Sequence, residues 1–141
     1  MSFELFLQSF AAGAPSGIPL ATLRAAFGAA LTEPEVDFWQ VHYGQAQSSD
    51  LFLRPLPTDA HRVHTISIYR PCSSAGLFES IWQLLACPGT CLYFPGGPAP
   101  LSRDAAIAGA LPSDLLAALG TPTMVHSAGD IAAVIGAHES T

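Results

Sequence analysis

The sequence predicts a single α+β domain over residues 1–141, with a mostly antiparallel sheet, a β-meander core and helices packed on one face. The chain has the length of one ordinary domain. Three strand-like segments between residues 36 and 70 are joined by short turns, which is typical of an antiparallel meander. Segments with helical spacing of apolar residues lie before and after them. The predicted element order is βαβββαβααβα, with no repeat and no second core.

The first half of the chain supplies a strand, a helix and the meander. Residues 2–10 are rich in aromatic side chains, which favours a strand. Pro19 suits a first helical turn, and the helix it begins is expected to end at residues 32–34. We expect meander strands at 36–43, 51–56 and 63–70, separated by polar turns. Alternation in the third strand places Ile66 and Ile68 on one face, and Val63 on the other. Pro55 indicates that the second strand lies at an edge or ends early.

The second half supplies four helices and two strands. Ser73 or Ser74 is expected to cap a helix that ends at Pro88-Gly89. A strand at 90–94 precedes two short alanine-rich helices, at about 102–111 and 113–119. A strand at 123–126 follows, and Ser127 with Asp130 resembles the capping box of a final helix.

Charge is scarce, and this excludes several classes of protein. Charged residues make up 11% of the chain, the five basic residues are all arginine, and the net charge is −6. A nucleic-acid-binding protein needs clustered basic residues, so we expect no nucleic-acid partner. Prolines and glycines interrupt the longest uncharged stretch, residues 80–102, so we expect no membrane span.

The chain begins without a signal-peptide pattern, and cytoplasmic location is the prediction. The residue bias is that of a GC-rich bacterial genome.

A surface with so few charges is covered by alanine, proline and hydroxyl residues. Such a surface favours an exposed apolar patch, and such patches mark contact sites. We therefore expect a protein partner or self-association.

Neither a metal nor a cofactor is expected. The three cysteines, Cys72, Cys87 and Cys91, are an odd number, which favours reduced thiols over a disulfide framework. They would form a zinc site with a histidine only if folding brought all four together. The chain has no lysine, no phosphate-binding loop and no dinucleotide-binding glycine motif.

No catalytic constellation emerges, and the catalytic residues stay unknown. Cys72 lies just before a predicted helix start, where the helix dipole favours a thiolate. No histidine is near it in sequence; the five are His42, His61, His64, His126 and His138. A small enzyme or ligand-binding domain that uses Cys72 or a histidine in a pocket is therefore the alternative to a non-enzymatic protein.

Acidic residues around the first meander strand are the candidate binding site. Glu33, Glu35 and Asp37 lie in the connection before the strand that contains Trp39, and Asp50 lies after it. Acids beside an aromatic residue steer and anchor a basic partner. A solvated loop with no binding role is the other interpretation.

The whole pattern resembles small bacterial α+β proteins of uncharacterised function, including the immunity-type proteins that neutralise bacterial toxins. The resemblance rests on the acidic balance, the domain size, the meander, the Leu92–Gly96 segment and the final strand and helix. It implies inhibition by binding and assigns no site residues. An oligomeric structural domain is a third possibility.

Overall fold

A computed structural model describes residues 4–139 of the protein. In this part of the chain, ten strands form one sheet, and there are five α-helices and one 3₁₀ turn at Gly28–Ala30. The strands are β1 (Glu4–Ala11), β2 (Ala14–Pro15), β3 (Ile18–Pro19), β4 (Leu31–Thr32), β5 (Phe38–Gly44), β6 (Gln47–Leu56), β7 (Asp59–Tyr69), β8 (Thr90–Tyr93), β9 (Leu101–Ser102) and β10 (Thr123–Met124). The helices are α1 (Leu20–Phe27), α2 (Ala75–Leu84), α3 (Ile107–Ala110), α4 (Ser113–Leu119) and α5 (Ala128–Glu139).

The sheet order is β10-β9-β8-β1-β7-β6-β5-β4. Outside this order, β2 pairs with β1 and β3 pairs with β7. All neighbouring pairs are antiparallel except β9 and β10. The α+β class and the predicted succession of major elements are confirmed. The sequence analysis missed β2, β3, β4 and β9, because two-residue strands carry no periodic pattern.

Strand β1 lies between the meander and the second half of the chain. Leu7 is paired with Ile66 of β7 on one side and with Leu92 of β8 on the other. Both pairings join residues far apart in sequence, so no local pattern indicates them. They place the first predicted strand at the centre of the sheet.

The meander is confirmed, but β6 and β7 are longer, and the turns before them shorter, than expected. β6 begins at Gln47, inside the expected polar turn, because Ser49 is buried and satisfied there. Its hydroxyl donates to the carbonyl of Arg70 (3.0 Å) and accepts from the N–H of Cys72 (2.9 Å). Pro55 is accommodated in an interior strand because β5 pairs no further than Phe52, and the ladder with β7 shifts register at Pro55.

The predicted face of Val63 is wrong, because a bulge interrupts β7. Arg54 pairs with Thr65 and Pro55 pairs with Val63, so His64 is an extra residue in the ladder. The extra residue returns Val63 to the buried face of Ile66. The ring of His64 instead lies 5.8 Å from that of Phe10.

The caps set the lengths of the helices. α1 ends at Gly28, whose φ of 58° stops it earlier than expected. Ser74 caps α2 as predicted, with its hydroxyl accepting from the N–H of Gly76 (3.1 Å). At α5 the Ser127 hydroxyl accepts from the Asp130 N–H (3.1 Å), and the Asp130 carboxylate accepts from the His126 N–H (2.7 Å). Both hydroxyls satisfy N–H groups that a helix start leaves free.

Helices cover both faces of the sheet, which corrects the expectation of one covered face. α1, α2 and α5 enclose the main core with the inward residues of β1, β6 and β7. α3 and α4 pack on the opposite face, where Ile107 and Leu111 bury Phe10 and Cys91. The short pair covers only the side near β8, so the opposite face stays open over β5, β6 and β7. Within residues 4–139, no helix has both the length and the apolarity to cross a membrane.

We expect Gly89→Ala to destabilise the protein by about 2–5 kcal/mol. Gly89 has φ of 73°, and an added Cβ would lie 1.8 Å from the Phe10 carbonyl oxygen. The N–H of Phe10 donates to the Gly89 carbonyl (2.9 Å), and this hydrogen bond keeps the two segments from moving apart to accommodate the Cβ. Urea unfolding measures the change. The matched control is Gly136→Ala in α5, where the added Cβ meets nothing within 4 Å. A loss below ~1 kcal/mol for Gly89→Ala would contradict the close approach.

Candidate protein-binding surface

The acidic loop, residues 33–37, is held at its end and presents its centre to solvent. The N–H of Glu35 donates to the carbonyl of Phe38 (3.2 Å), and the N–H of Leu53 donates to the carbonyl of Asp37 (2.9 Å). Val36 between them is 89% exposed, the highest value among the described large apolar residues that face solvent. The Glu35 and Asp37 residues on either side are exposed as well. The loop therefore offers two carboxylates around an apolar tip.

Glu33 is engaged within the protein. Arg24 donates from Nε to Glu33 Oε2 (3.0 Å) and from Nη2 to Oε1 (3.0 Å). This hydrogen bonding from Arg24 lowers the pKa of Glu33 below its ordinary value, so the carboxylate stays ionised. Glu33 belongs to the predicted site by position, but its charge is already paired.

Trp39 is 1% exposed and lies in the main core, which corrects its expected role as an exposed anchor. The alternation of β5 turns its ring towards the helices, and the guanidinium carbon of Arg24 lies 5.5 Å from the ring centroid. A depression of about 340 Å³ lies above this pair, bordered by Leu20 and Val36. Trp39 therefore lines the depression as a buried residue.

The structure separates Asp50 from the acidic loop. Asp50 lies opposite Gln40 on β5, on the face of the sheet that Trp39 does not use. Gln40 donates to Asp50 Oδ1 (3.1 Å) and Arg70 donates to Oδ2 (2.8 Å). Burial raises the pKa of Asp50, but the hydrogen bonds from Gln40 and Arg70 outweigh it, and the pKa falls below its ordinary value. The structure thus keeps Glu33, Glu35 and Asp37 together on the loop, buries Trp39 in the core, and places Asp50 on the other face of the sheet.

A row of aromatic side chains crosses the open side of the sheet. We define the aromatic face as Phe6, Phe38, Phe52, Tyr69 and Tyr93. Ring centroids lie 5.0 Å apart for Phe38 and Phe52, 4.7 Å for Phe52 and Tyr69, and 5.4 Å for Phe6 and Tyr93. Phe52 is 41% exposed and Tyr69 is 39% exposed. An exposed aromatic cluster of this kind is typical of contact surfaces.

The sequence analysis missed the aromatic face, although a signal for it exists. Apolar residues occupy consecutive positions at residues 5–7 and again at 51–53. Successive strand residues point to opposite faces, so such runs put apolar side chains on both faces of a strand. The apolar side chains on one face pack in the core, and those on the other face stay exposed unless other residues or a partner bury them.

Cys87 and Cys91 lie in surroundings that do not favour nucleophilic chemistry. Burial raises the pKa of Cys91 to about 12 and raises that of Cys87 above its ordinary value, so both thiols keep their protons. Cys72 is half-buried, two residues before Ser74. No hydrogen bond joins a thiol to a histidine among the residues described. In that part of the chain, no three His, Cys, Asp or Glu residues cluster closely enough to hold a metal ion.

A cleft of about 500 Å³ opens beside the end of β1 and the start of β7, and Cys87 is one of the residues that line it. Arg62 in this cleft donates to the carbonyl of Gly17 (2.8 Å). Asp104 accepts from the N–H groups of Gly89 (3.0 Å) and Ala106 (2.9 Å). Both charged side chains therefore hold backbone segments in place, which is a structural use.

Comparison with known proteins identifies no family for this chain. No protein-family model matches the chain, and no curated protein or solved structure gives a significant match.

We expect Asp50→Asn to destabilise the protein by about 1 kcal/mol at pH 7. The folded state lowers the pKa of Asp50, so the carboxylate contributes stability above the ordinary value of about 3.9. This contribution is lost as the pH falls through the folded-state pKa. Urea unfolding of both proteins at pH 7, 5 and 3 measures the difference, which should shrink at pH 3. Arg70→Gln removes one of the two side chains that donate to Asp50, so it should reduce the pH dependence of the unfolding free energy without abolishing it. An equal difference at every pH would contradict the assignment.

Proposed function

We propose that this protein is a non-enzymatic binding module that contacts a basic partner protein through the acidic loop. The observation that carries the proposal is the position of Val36, 89% exposed between two exposed acidic residues on an anchored loop. An apolar tip ringed by charge resembles the centre and rim of an interface. Glu35 and Asp37 supply the free carboxylates, while Glu33 stiffens the loop through Arg24.

The charge of the whole chain supports a basic partner. A net charge of −6 attracts cations at long range, and the loop concentrates two unpaired acids at one place. Such complementarity raises the association rate and makes it depend on ionic strength. Fixing a loop before binding also reduces the entropy lost in the complex.

Inhibition is the form of binding that we infer. It follows from the resemblance to immunity-type proteins, which act by covering a toxin, and a cytoplasmic location suits that role. Two other functions stay open. An enzyme that uses Cys72 or a histidine needs a thiol paired with a base, and the residues described contain no such hydrogen-bonded pair. An oligomeric structural domain is the other function.

Co-purification with the product of the neighbouring gene tests the proposal. We expect a complex that weakens as NaCl is raised from 50 to 500 mM. Neutralising the free acids with Glu35→Gln and Asp37→Asn should weaken it about tenfold and flatten the salt dependence. Val36→Ser should weaken it by a similar factor without changing the salt dependence, because it removes apolar contact alone.

Glu79→Gln is the matched control, since Glu79 is an exposed acid that belongs to α2 and not to the loop. It should leave the affinity unchanged. A complex that resists both high salt and all loop substitutions would overturn the acidic loop as the contact. A neighbouring product that forms no complex at 50 mM NaCl would count against the binding function itself.

A further inference from the structure

We propose that the aromatic face is the contact surface of a symmetric dimer, and that its occupant is a second copy of this chain. In this dimer Glu4 of each copy pairs with Arg54 of the other, and the aromatic rings meet between the two ion pairs. The inference goes beyond the proposed function and does not rest on it. The acidic loop borders the depression over Trp39, which lies on the opposite face of the sheet.

The charges on the aromatic face balance, although the charges of the whole chain do not. The register puts Glu4, Asp50 and Arg54 on this face. Arg70 reaches onto it and donates to Asp50 (2.8 Å). Two acids and two arginines sum to zero, while the whole chain carries −6. A strongly basic or strongly acidic partner therefore gains little here, whereas a surface that carries both signs can match them.

Two of these four charges are unpaired, and they have opposite signs. Asp50 is held by Arg70 and by Gln40 (3.1 Å). Within residues 4–139, the side chains of Glu4 and Arg54 form no ion pair and no hydrogen bond. Their Cα atoms stand roughly 17 Å apart by ideal strand spacing, two strands across and four residues along, so they do not reach each other within one copy.

The register places Glu4 and Arg54 symmetrically about Ser67. Glu4 lies opposite Tyr69 of β7, on the β1 side. Arg54 lies opposite Thr65 of β7, on the β6 side. Ser67 lies midway between Tyr69 and Thr65 on the same strand. When a second copy packs face to face, a two-fold axis that lies along the face and passes over Ser67 exchanges the two charges. Each dimer then contains two equivalent pairs of Glu4 with Arg54.

The same axis passes over the middle of the aromatic face. Phe6 and Phe52 lie directly opposite Ser67 on its two sides. Phe52 also contacts the rings of Phe38 and Tyr69, with centroids 5.0 Å and 4.7 Å away. Packing about Ser67 therefore brings these rings against those of the second copy, inside the two ion pairs. An aromatic centre with charged groups around it is typical of protein interfaces.

The size of the face determines how strong the dimer is. From β8 to β5 the face crosses five strands, which makes it roughly 20 Å wide at about 4.8 Å for each strand spacing. A patch of this width belongs to the small end of specific interfaces, which are weak and transient. We therefore expect a dimer that dissociates at micromolar concentrations. Salt at about 0.15 M screens charges more than about 8 Å apart, so the −6 of each copy does not prevent the contact.

Sedimentation velocity of the full-length protein tests the proposal, over about 5 to 500 µM and in about 0.15 M NaCl. We expect an equilibrium between monomer and dimer. Arg54→Glu puts two like-charge pairs into each dimer, as does Glu4→Arg, and each variant alone should weaken the dimer about tenfold or more. An equimolar mixture of the two variants should restore the association, because every pair in the mixed dimer again has opposite signs.

The controls separate charge from apolar contact and from the acidic loop. Phe52→Ser removes an exposed ring and should weaken the dimer about tenfold. Glu79→Arg is the matched charge reversal, since Glu79 is an exposed acid of α2, and it should leave the dimer unchanged. Glu35→Gln in the acidic loop should also leave it unchanged. Urea unfolding establishes that each variant is folded.

Each contrary outcome overturns a named part of the inference. A protein that stays monomeric at every concentration would overturn the second copy as the occupant and favour an uncharged apolar partner. A dimer that Arg54→Glu, Glu4→Arg and Phe52→Ser all leave intact would overturn the aromatic face as the contact. A mixture that associates no better than its two components would overturn the exchange of charges about Ser67. The role of the acidic loop is decided separately, by the salt-dependent complex with the neighbouring gene product.

Discussion

The structure depends on the register of three central strands. Leu5, Ile68 and Leu51 form one row across β1, β7 and β6, and Leu7, Ile66 and Leu53 form the next. All six side chains belong to the main core beneath α1, α2 and α5. A slip of one residue in any strand would turn its apolar row towards solvent, so burial of these two rows holds the sheet in place.

The same register determines what the other face presents. Phe6, Ser67 and Phe52 form the row between the two buried ones, and Tyr69 lies in the row beside it. The short pair of α3 and α4 covers only the β8 side of this face. Packing of the core and exposure of the aromatic face are thus two results of one alternation. β5 begins between these two features, since the acidic loop precedes it and Phe38 of the aromatic face is its first residue.

The sequence was informative where a local pattern decides the structure, and uninformative where distant segments meet. The capping residues Ser74 and Ser127 and the meander strands could be predicted because propensity, capping and alternation act over a few residues. The place of β1 in the sheet could not, because Leu7 meets Ile66 and Leu92 only after the chain folds. The same distinction between local pattern and distant contacts applies to the candidate site. The loop acids are exposed as expected, whereas the burial of Trp39 follows from which face of β5 meets the helices.

The central position of β1 has a consequence for how the protein is made. β1 leaves the ribosome before both of its neighbours, and the pairing of Leu7 with Leu92 waits for most of the chain. Sheets closed by contacts between distant residues fold slowly, because the intervening chain must lose its freedom first. The meander of β5, β6 and β7 is contiguous and can form earlier, with an open edge at β7 that β1 later occupies. Until that docking, the growing chain exposes apolar residues on both faces of β1, and this is the period in which aggregation competes with folding.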